Sequence, residues 1–284
     1  ELKMKLSVST LGCTEKNISE IASLCAECGI HGIEIRGIDG VLPVDRIACL
    51  SAENACETEK ILNNSNVNIV GFGTSCAFHD PSKTEGALLD GMSAVRACAG
   101  FYRQLNRDVP SGTFIRVFGN SVFSDGYDNT VTRIIDGIGR LCGYSEKYGV
   151  NVYLEVHGDF NRIETLSVPL KALSEYHNFG VIWDIMHSDK IYGDDIDRFY
   201  DFIFPYTRHV HLKDCLRNTV PPTLALPGEG NIPIQRIVNR LLNDGYDGYC
   251  SFEWERKWHR ELVSADIAFP YYAEYMKRNF PEWF

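Results

Sequence analysis

Eight times along this chain a short run of β-branched and other apolar residues gives way to a longer segment of helical character, with turn residues between them. This alternation constrains the fold more than any other feature, because βα units in series build a parallel sheet. The runs predict strands over Lys5–Ser9, Gly32–Arg36, Asn68–Phe72, Thr113–Phe118, Asn151–His157, Gly180–Ile185, His209–Lys213 and Gly248–Glu253. One helix follows each, near residues 17–28, 51–64, 84–105, 129–148, 163–176, 195–203, 233–243 and 262–278. Eight such units close naturally into an α/β fold of the (β/α)8 TIM-barrel type; a doubly wound open sheet is the competing arrangement. A length of 284 residues suits one barrel, and no Pro/Gly/Ser-rich linker, charge block or low-complexity tract divides it. Residues 1–284 are therefore expected to form a single TIM-barrel domain.

Local signals agree with the helix limits. Asn17 stands before Ile18-Ser19-Glu20, and Asp128-Asn129 stand before the segment from Thr130 to Tyr148, so both offer N-cap chemistry. Gly29, Gly149 and Gly245 stand where a helix would turn into the next strand.

A formal net charge of −10 argues against a general binder of nucleic acid or anionic membrane, though not against a small anionic substrate held by local Arg and Lys. No stretch of about 18 apolar residues is present, so no membrane span is expected. The first residues lack the apolar core of a secretion signal, and Met4 is a candidate native start with Glu1 to Lys3 as an upstream extension. Ten cysteines are scattered, and the one close pair, Cys25 and Cys28, has no second pair to complete a zinc site. They read as small buried apolar residues in a reducing compartment, which makes the expected location cytoplasmic.

The later strands carry polar groups that an ordinary buried strand would not. Glu155 and His157 close the fifth; Asp184 and His187 stand at the end of the sixth; His209, His211, Lys213 and Asp214 lie on or just past the seventh; Glu253 and Glu255 end the eighth. In a barrel these four ends surround one mouth. A carboxylate pointing inward needs a partner to stay charged, and Glu155, Asp184 and Glu253 together would repel one another. A divalent cation replaces that repulsion with coordination, and His211 adds one nitrogen ligand. Three carboxylates and one imidazole suit one Mn²⁺, Mg²⁺ or Co²⁺ ion and also accommodate Zn²⁺. The structural alternative is a set of buried ion pairs that only stabilise the barrel.

Glu155, the segments Trp183 to His187 and His209 to Asp214, the loop Pro227-Gly228-Glu229-Gly230 and the segment Ser251 to Glu255 resemble the xylose-isomerase-like TIM-barrel family of sugar isomerases and epimerases. The resemblance runs over nearly the whole chain and is weakest in the first hundred residues. It implies metal ligands at Glu155, Asp184, His211 and Glu253, with Glu155 and Glu253 also acting as catalytic acid and base on opposite faces of the substrate. It implies substrate contacts at His187 and Arg217. The ketose 3-epimerase branch has a second Glu six residues after its first ligand, where this chain has Asn161.

Neighbouring positions divide by parity along each strand. Lys213 shares a side with His211 and reads as a contact for a substrate anion or hydroxyl, or as partner of a carboxylate. His157 and Glu255 stand two residues beyond Glu155 and Glu253 and are further candidates, Glu255 as a carboxylate that orients a cation or histidine. Arg36 shares a face with Glu34 and reads as a substrate contact or an internal pair. His209 is expected deeper and satisfied, Asp214 as a loop brace, and Trp183 and Trp254 facing the helices.

The resemblance implies a proton taken from the carbon beside a carbonyl through a metal-stabilised enediolate. Return to the opposite face gives an epimerase; return to the adjacent carbon gives an isomerase. Expulsion of a β leaving group gives a dehydratase or lyase on an inosose, a dehydroshikimate-like acid or a 3-keto-glycoside. An endonuclease IV activity would need further histidines on strands three and four, where none occurs and His79 stands alone in the following loop. A barrel that binds sugar without turnover is a third reading. The expected partner is a small sugar, with neither nucleic acid nor membrane, and relatives of this kind are commonly homodimers or homotetramers.

Overall fold

The computed structural model describes residues 5–284. The segment Glu1 to Met4, with its candidate start, lies outside the described residues. Eight strands close a barrel in the order β1-β10-β7-β6-β5-β4-β3-β2. They are β1 (Lys5–Ser9), β2 (Gly32–Ile35), β3 (Asn68–Ala77), β4 (Phe114–Phe118), β5 (Asn151–Glu155), β6 (Phe179–Asp184), β7 (Thr207–Leu212) and β10 (Tyr249–Phe252). The short hairpin β8 (Asp214–Leu216) and β9 (Thr223–Ala225) pairs antiparallel, apart from the barrel. The helices are α1 (Ile18–Cys28), α2 (Ala55–Asn64), α3 (Thr84–Gln104), α4 (Tyr127–Ser145), α5 (Ile163–Leu173), α6 (Ile185–Tyr192), α7 (Ile196–Ile203), α8 (Ile234–Asn243) and α9 (Ala265–Asn279). The (β/α)8 barrel expected from the alternation is the fold that forms.

By internal contacts the chain divides into two compact units. One takes in the chain up to Leu42, Glu57–Val70 and the chain from His209 onward; the other takes in Pro43–Cys56 and Gly71–Arg208. In the first, β10 pairs in parallel with β1 and β7, and β1 with β2. Ser7 lies level with Gly32 and Ser251, Ser9 with Glu34, and His211 with Ser251. Residues level with one another in a parallel ladder share a face, so these polar groups all look one way. Their neighbours Leu6, Val8, Ile33, Leu212 and Phe252 are buried on the other face, where Phe252 stacks on Tyr272 of α9 at 5.0 Å. The helices therefore cover the apolar face, and the polar face is the barrel interior.

The second unit repeats this division. Arg116 is level with Tyr153, Phe118 with Glu155, and Glu155 with Ile182. Phe114 stacks on Tyr153 at 4.7 Å inside, and a Cβ on Gly71 would overlap the Phe114 ring, so glycine is required there. Outside, Trp183 packs on Phe199 and Tyr200 of α7 and donates its Nε1–H to Ser188 Oγ at 2.8 Å. Trp254 is likewise buried and donates to the Val263 carbonyl. Both tryptophans face away from the interior, as parity required.

Helix ends follow their caps. At α1, Asn17 Oδ1 accepts from Glu20 N at 3.0 Å while Glu20 Oε2 accepts from Asn17 N at 2.9 Å, a reciprocal capping box. Gly29 ends the helix at φ +70°, a left-handed conformation that costs glycine nothing. The expectation for α4 needs correcting: it starts at Tyr127 with Gly126 as its N-cap, and Asp128 and Asn129 fall inside the first turn. The expectations of a single helix after β6 and of a direct connection from β7 to its helix are also corrected. Asp184 ends β6 and caps α6, so α6 and α7 both follow that strand, and Ile185 is helical. The β8–β9 hairpin intervenes between β7 and α8. Strands two, five, seven and eight end at Ile35, Glu155, Leu212 and Phe252, which leaves Arg36, His157, Lys213 and Glu253 on the segments just beyond them.

Eight of the ten cysteines, Cys25 and Cys28 among them, are buried. Burial alone pushes the Cys142 and Cys250 thiols up to about 12, the behaviour of inert core residues. No helix among the described residues is long and apolar enough to cross a membrane.

Candidate metal centre

At the end of β5, the Glu155 carboxylate accepts from Arg116 Nη1 at 2.9 Å, and both side chains are buried. The guanidinium is held at its other edge. Nε and Nη2 donate to the Thr74 carbonyl at 3.4 and 3.3 Å, Thr74 Oγ1 donates back to the Arg116 carbonyl, and the Cζ stands 4.6 Å from the Phe118 ring. A planar fork anchored this way gives Glu155 a fixed position. Asp184 is fully buried at the β6–α6 junction, and its Oδ1 accepts from Met186 N at 2.9 Å and His187 N at 3.2 Å. This is N-cap geometry, and the positive end of α6 favours an anion there. His187 Nε2 is 3.7 Å from Asp184 Oδ2, and the His187 and His157 rings meet edge-on at 4.5 Å. Asn161 Nδ2 donates to the His187 carbonyl, while Asn161 Oδ1 and His157 Nδ1 are buried without a hydrogen-bond partner.

On β7 and β10 the donors differ. Glu34 is fully buried, and its Oε2 faces His211 Nε2 at 2.8 Å, His209 Nε2 at 3.2 Å and Ser251 Oγ at 3.5 Å. Burial would push this carboxyl up, but the attraction of the two imidazoles outweighs it and holds the group well below the usual carboxylate range. The other ring nitrogen of His211, Nδ1, lies 3.4 Å from Glu253 Oε2. Lys213 Nζ stands 2.5 Å from Glu253 Oε2 and from Glu255 Oε1, so one ammonium serves two carboxylates. Glu255 Oε2 is also 3.8 Å from His259.

Glu155, Asp184, His211 and Glu253 are all buried and each offers a ligand atom, all within 4.8 Å of one another. Three hard carboxylates and one imidazole can hold a divalent metal ion. Glu34, His209 and His211 form a second group with ligand atoms equally close.

The remaining expected residues fall into place more unevenly. Lys213 meets carboxylates, Glu253 and Glu255, in the geometry of a charge partner. Arg36 is buried just past β2, and its backbone N–H donates to Thr10 Oγ1. Arg217 is half-buried after β8, and its backbone N–H donates to Asn231 Oδ1. His209 is the satisfied interior histidine that its position suggested. Asp214 is the expected brace, its carboxylate accepting from the backbone of Cys215, Gly228, Gly230 and Ile232. A Cβ on Gly230 would overlap that carboxylate, which explains glycine in the Pro227 to Gly230 loop.

Arg116 escaped sequence reasoning. It is the lone charge in the run Phe-Ile-Arg-Val-Phe, and a single arginine in an otherwise apolar strand was the available signal. The bonds from Glu34 to His209 and His211 were missed as well, because they join residues some 175 positions apart.

The model of the xylose isomerase-like TIM barrel family matches residues 22–270, and the chain belongs to that family. Fructoselysine 3-epimerase of Escherichia coli O157:H7 is 25% identical over 126 residues, which cover 43% of this chain and 44% of that protein. The match thus spans less than half the length of this curated relative. Among solved structures, the IOLI protein with a bound zinc atom superposes with a TM-score of 0.76 at 17% identity, covering 99% of each chain. D-Psicose 3-epimerase with D-tagatose from Clostridium cellulolyticum H10 superposes with a TM-score of 0.73 at 15% identity, covering 97% of this chain and 98% of the other. Likeness at these identities establishes the shared fold.

Proposed function

We propose that this chain is a divalent-metal-dependent isomerase or epimerase acting on a ketose or related sugar. The observation that carries the reading is the buried convergence of Glu155, Asp184, His211 and Glu253. The epimerase names of the relative and of one structural neighbour support the substrate class. Mn²⁺, Mg²⁺ and Co²⁺ fit the oxygen-rich donor set best, and the zinc-bearing neighbour keeps Zn²⁺ in the same range.

Glu155, Asp184, His211 and Glu253 would hold a divalent cation, which would supply Lewis acidity at the substrate's carbonyl group. Glu155 and Glu253 act as the acid–base pair: one takes the proton from the carbon beside that carbonyl and the other delivers one. Arg116 and Lys213 orient the two carboxylates through their contacts with Oε2 of each. Asp184, tied by one oxygen to the start of α6, stays in place through the cycle. His187, His157, Arg217, Lys213, Glu255 and Arg36 are the candidates for substrate contact, and Asn161 beside His187 presents a neutral amide rather than a carboxylate.

The test is product analysis in deuterated water with Mn²⁺ and a panel of ketoses, inososes and keto-glycosides. We expect deuterium at the carbon beside the carbonyl in a product whose skeleton is unchanged. Glu253→Gln should abolish this exchange without altering the circular dichroism spectrum. Loss of water or of a glycosyl group would replace the reading with a lyase, and a fully active Glu253→Gln enzyme would remove Glu253 from the acid–base role.

A further inference from the structure

We propose that Glu34 is a positioning residue that fixes the tautomer and orientation of His211, an inference that rests on the metal site put forward above. Glu34 lies on β2, remote in sequence from the four candidate ligands, and is fully buried. Its single oxygen Oε2 meets Nε2 of both His211 and His209, at 2.8 and 3.2 Å. One oxygen cannot donate a proton to two ring nitrogens, so the arrangement that satisfies both is acceptance from two N–H groups. His211 is then protonated at Nε2. In the neutral ring this leaves the lone pair on Nδ1, the nitrogen 3.4 Å from Glu253 Oε2. The ring thus turns its basic nitrogen towards a fellow member of the four-residue group and its N–H towards Glu34.

A histidine that holds a metal ion through one nitrogen commonly donates the other N–H to a carboxylate, which sets ring angle and basicity. Glu34 supplies that carboxylate here. His209 completes the arrangement: it approaches the same oxygen and, with Ser251 Oγ at 3.5 Å, limits where the carboxylate can sit. The competing reading makes Glu34, His209 and His211 a second cation site. Neighbouring ligand atoms around an octahedral ion at about 2.1 Å stand roughly 3.0 Å apart, and those around a tetrahedral ion roughly 3.4 Å. The 2.8 Å separation of Glu34 from His211 is shorter than either and is a direct hydrogen-bond length.

Two measurements on the full-length chain test the assignment. The first is calorimetric titration of Mn²⁺ or Co²⁺ into metal-free wild-type and Glu34→Gln protein. The variant should remain folded by circular dichroism and bind about 10–100-fold more weakly. The second needs no variant: two-bond ¹H–¹⁵N correlation of histidine rings in the metal-free wild type, where His211 should carry its proton on Nε2 alone. An unchanged Kd in Glu34→Gln, or a His211 ring protonated at Nδ1, would overturn the proposal. So would a second metal equivalent in the wild type that disappears with Glu34, since Glu34 would then be a ligand. If Glu34→Gln does not fold, the wild-type ring spectrum decides alone. A wild type that binds no metal strikes at the metal site itself, while the spectrum still reports whether Glu34 fixes the ring.

Discussion

Glu155 and Asp184 are held by a guanidinium and by helix-end amides, whereas Glu34 and Glu253 are held by two imidazoles and an ammonium. The first pair has donors that keep their protons and their places. Arg116 is braced on the Thr74 carbonyl and the Phe118 ring, and the amides of Met186 and His187 are part of α6. The second set has donors in shared contacts. Buried Lys213 divides one ammonium between Glu253 and Glu255, and one Glu34 oxygen faces both His209 and His211. The difference teaches a division of labour. One side gives each carboxylate its own braced donor, and the other ties donors and carboxylates together through shared contacts.

The comparison breaks if the rigid side proves dispensable. Arg116→Leu leaves Glu155 buried beside an apolar side chain, and loss of one partner from a buried ion pair costs about 3–5 kcal/mol. We expect a loss of that size in urea unfolding of the metal-free protein, with part of it recovered in the Arg116→Leu, Glu155→Leu double variant. A loss well under that range would mean that the guanidinium clamp carries little of the structure. A smaller effect separates the two duties of Asp184. Asn keeps an N-cap acceptor and Ala does not, so Asp184→Ala should be less stable than Asp184→Asn by about 0.5–2 kcal/mol, while both lose metal affinity. Equal stabilities would show that the bonds to Met186 and His187 contribute nothing measurable.

Much of this was legible in the sequence because it is periodic. Strands alternate apolar and polar residues, and parity alone placed Trp183 and Trp254 among the helices and Glu155, His211 and Glu253 inside. Asp214 was legible as a loop brace, and its carboxylate collects four backbone amides. What escaped notice was either too short or too distant for local pattern. α6 is eight residues long and begins on the residue after a strand, so its first apolar residue, Ile185, extends the apolar run of β6. The β8–β9 hairpin has three residues per strand, too few to show alternation. The Asp128-Asn129 signal misplaced the start of α4 because Gly126, with φ +98°, makes the turn first. Arg116 and Glu34 gained their meaning only from partners supplied by other strands.

Glu155, Asp184, His211 and Glu253 are proposed above to share one cation. Metal analysis of protein purified without chelator, repeated on the Glu155→Gln, Glu253→Gln double variant, tests it most directly. A bound divalent ion at about one per chain in the wild type, and a trace in the folded double variant, is the expected result. A wild type without metal, or a double variant that keeps its full complement, would contradict it.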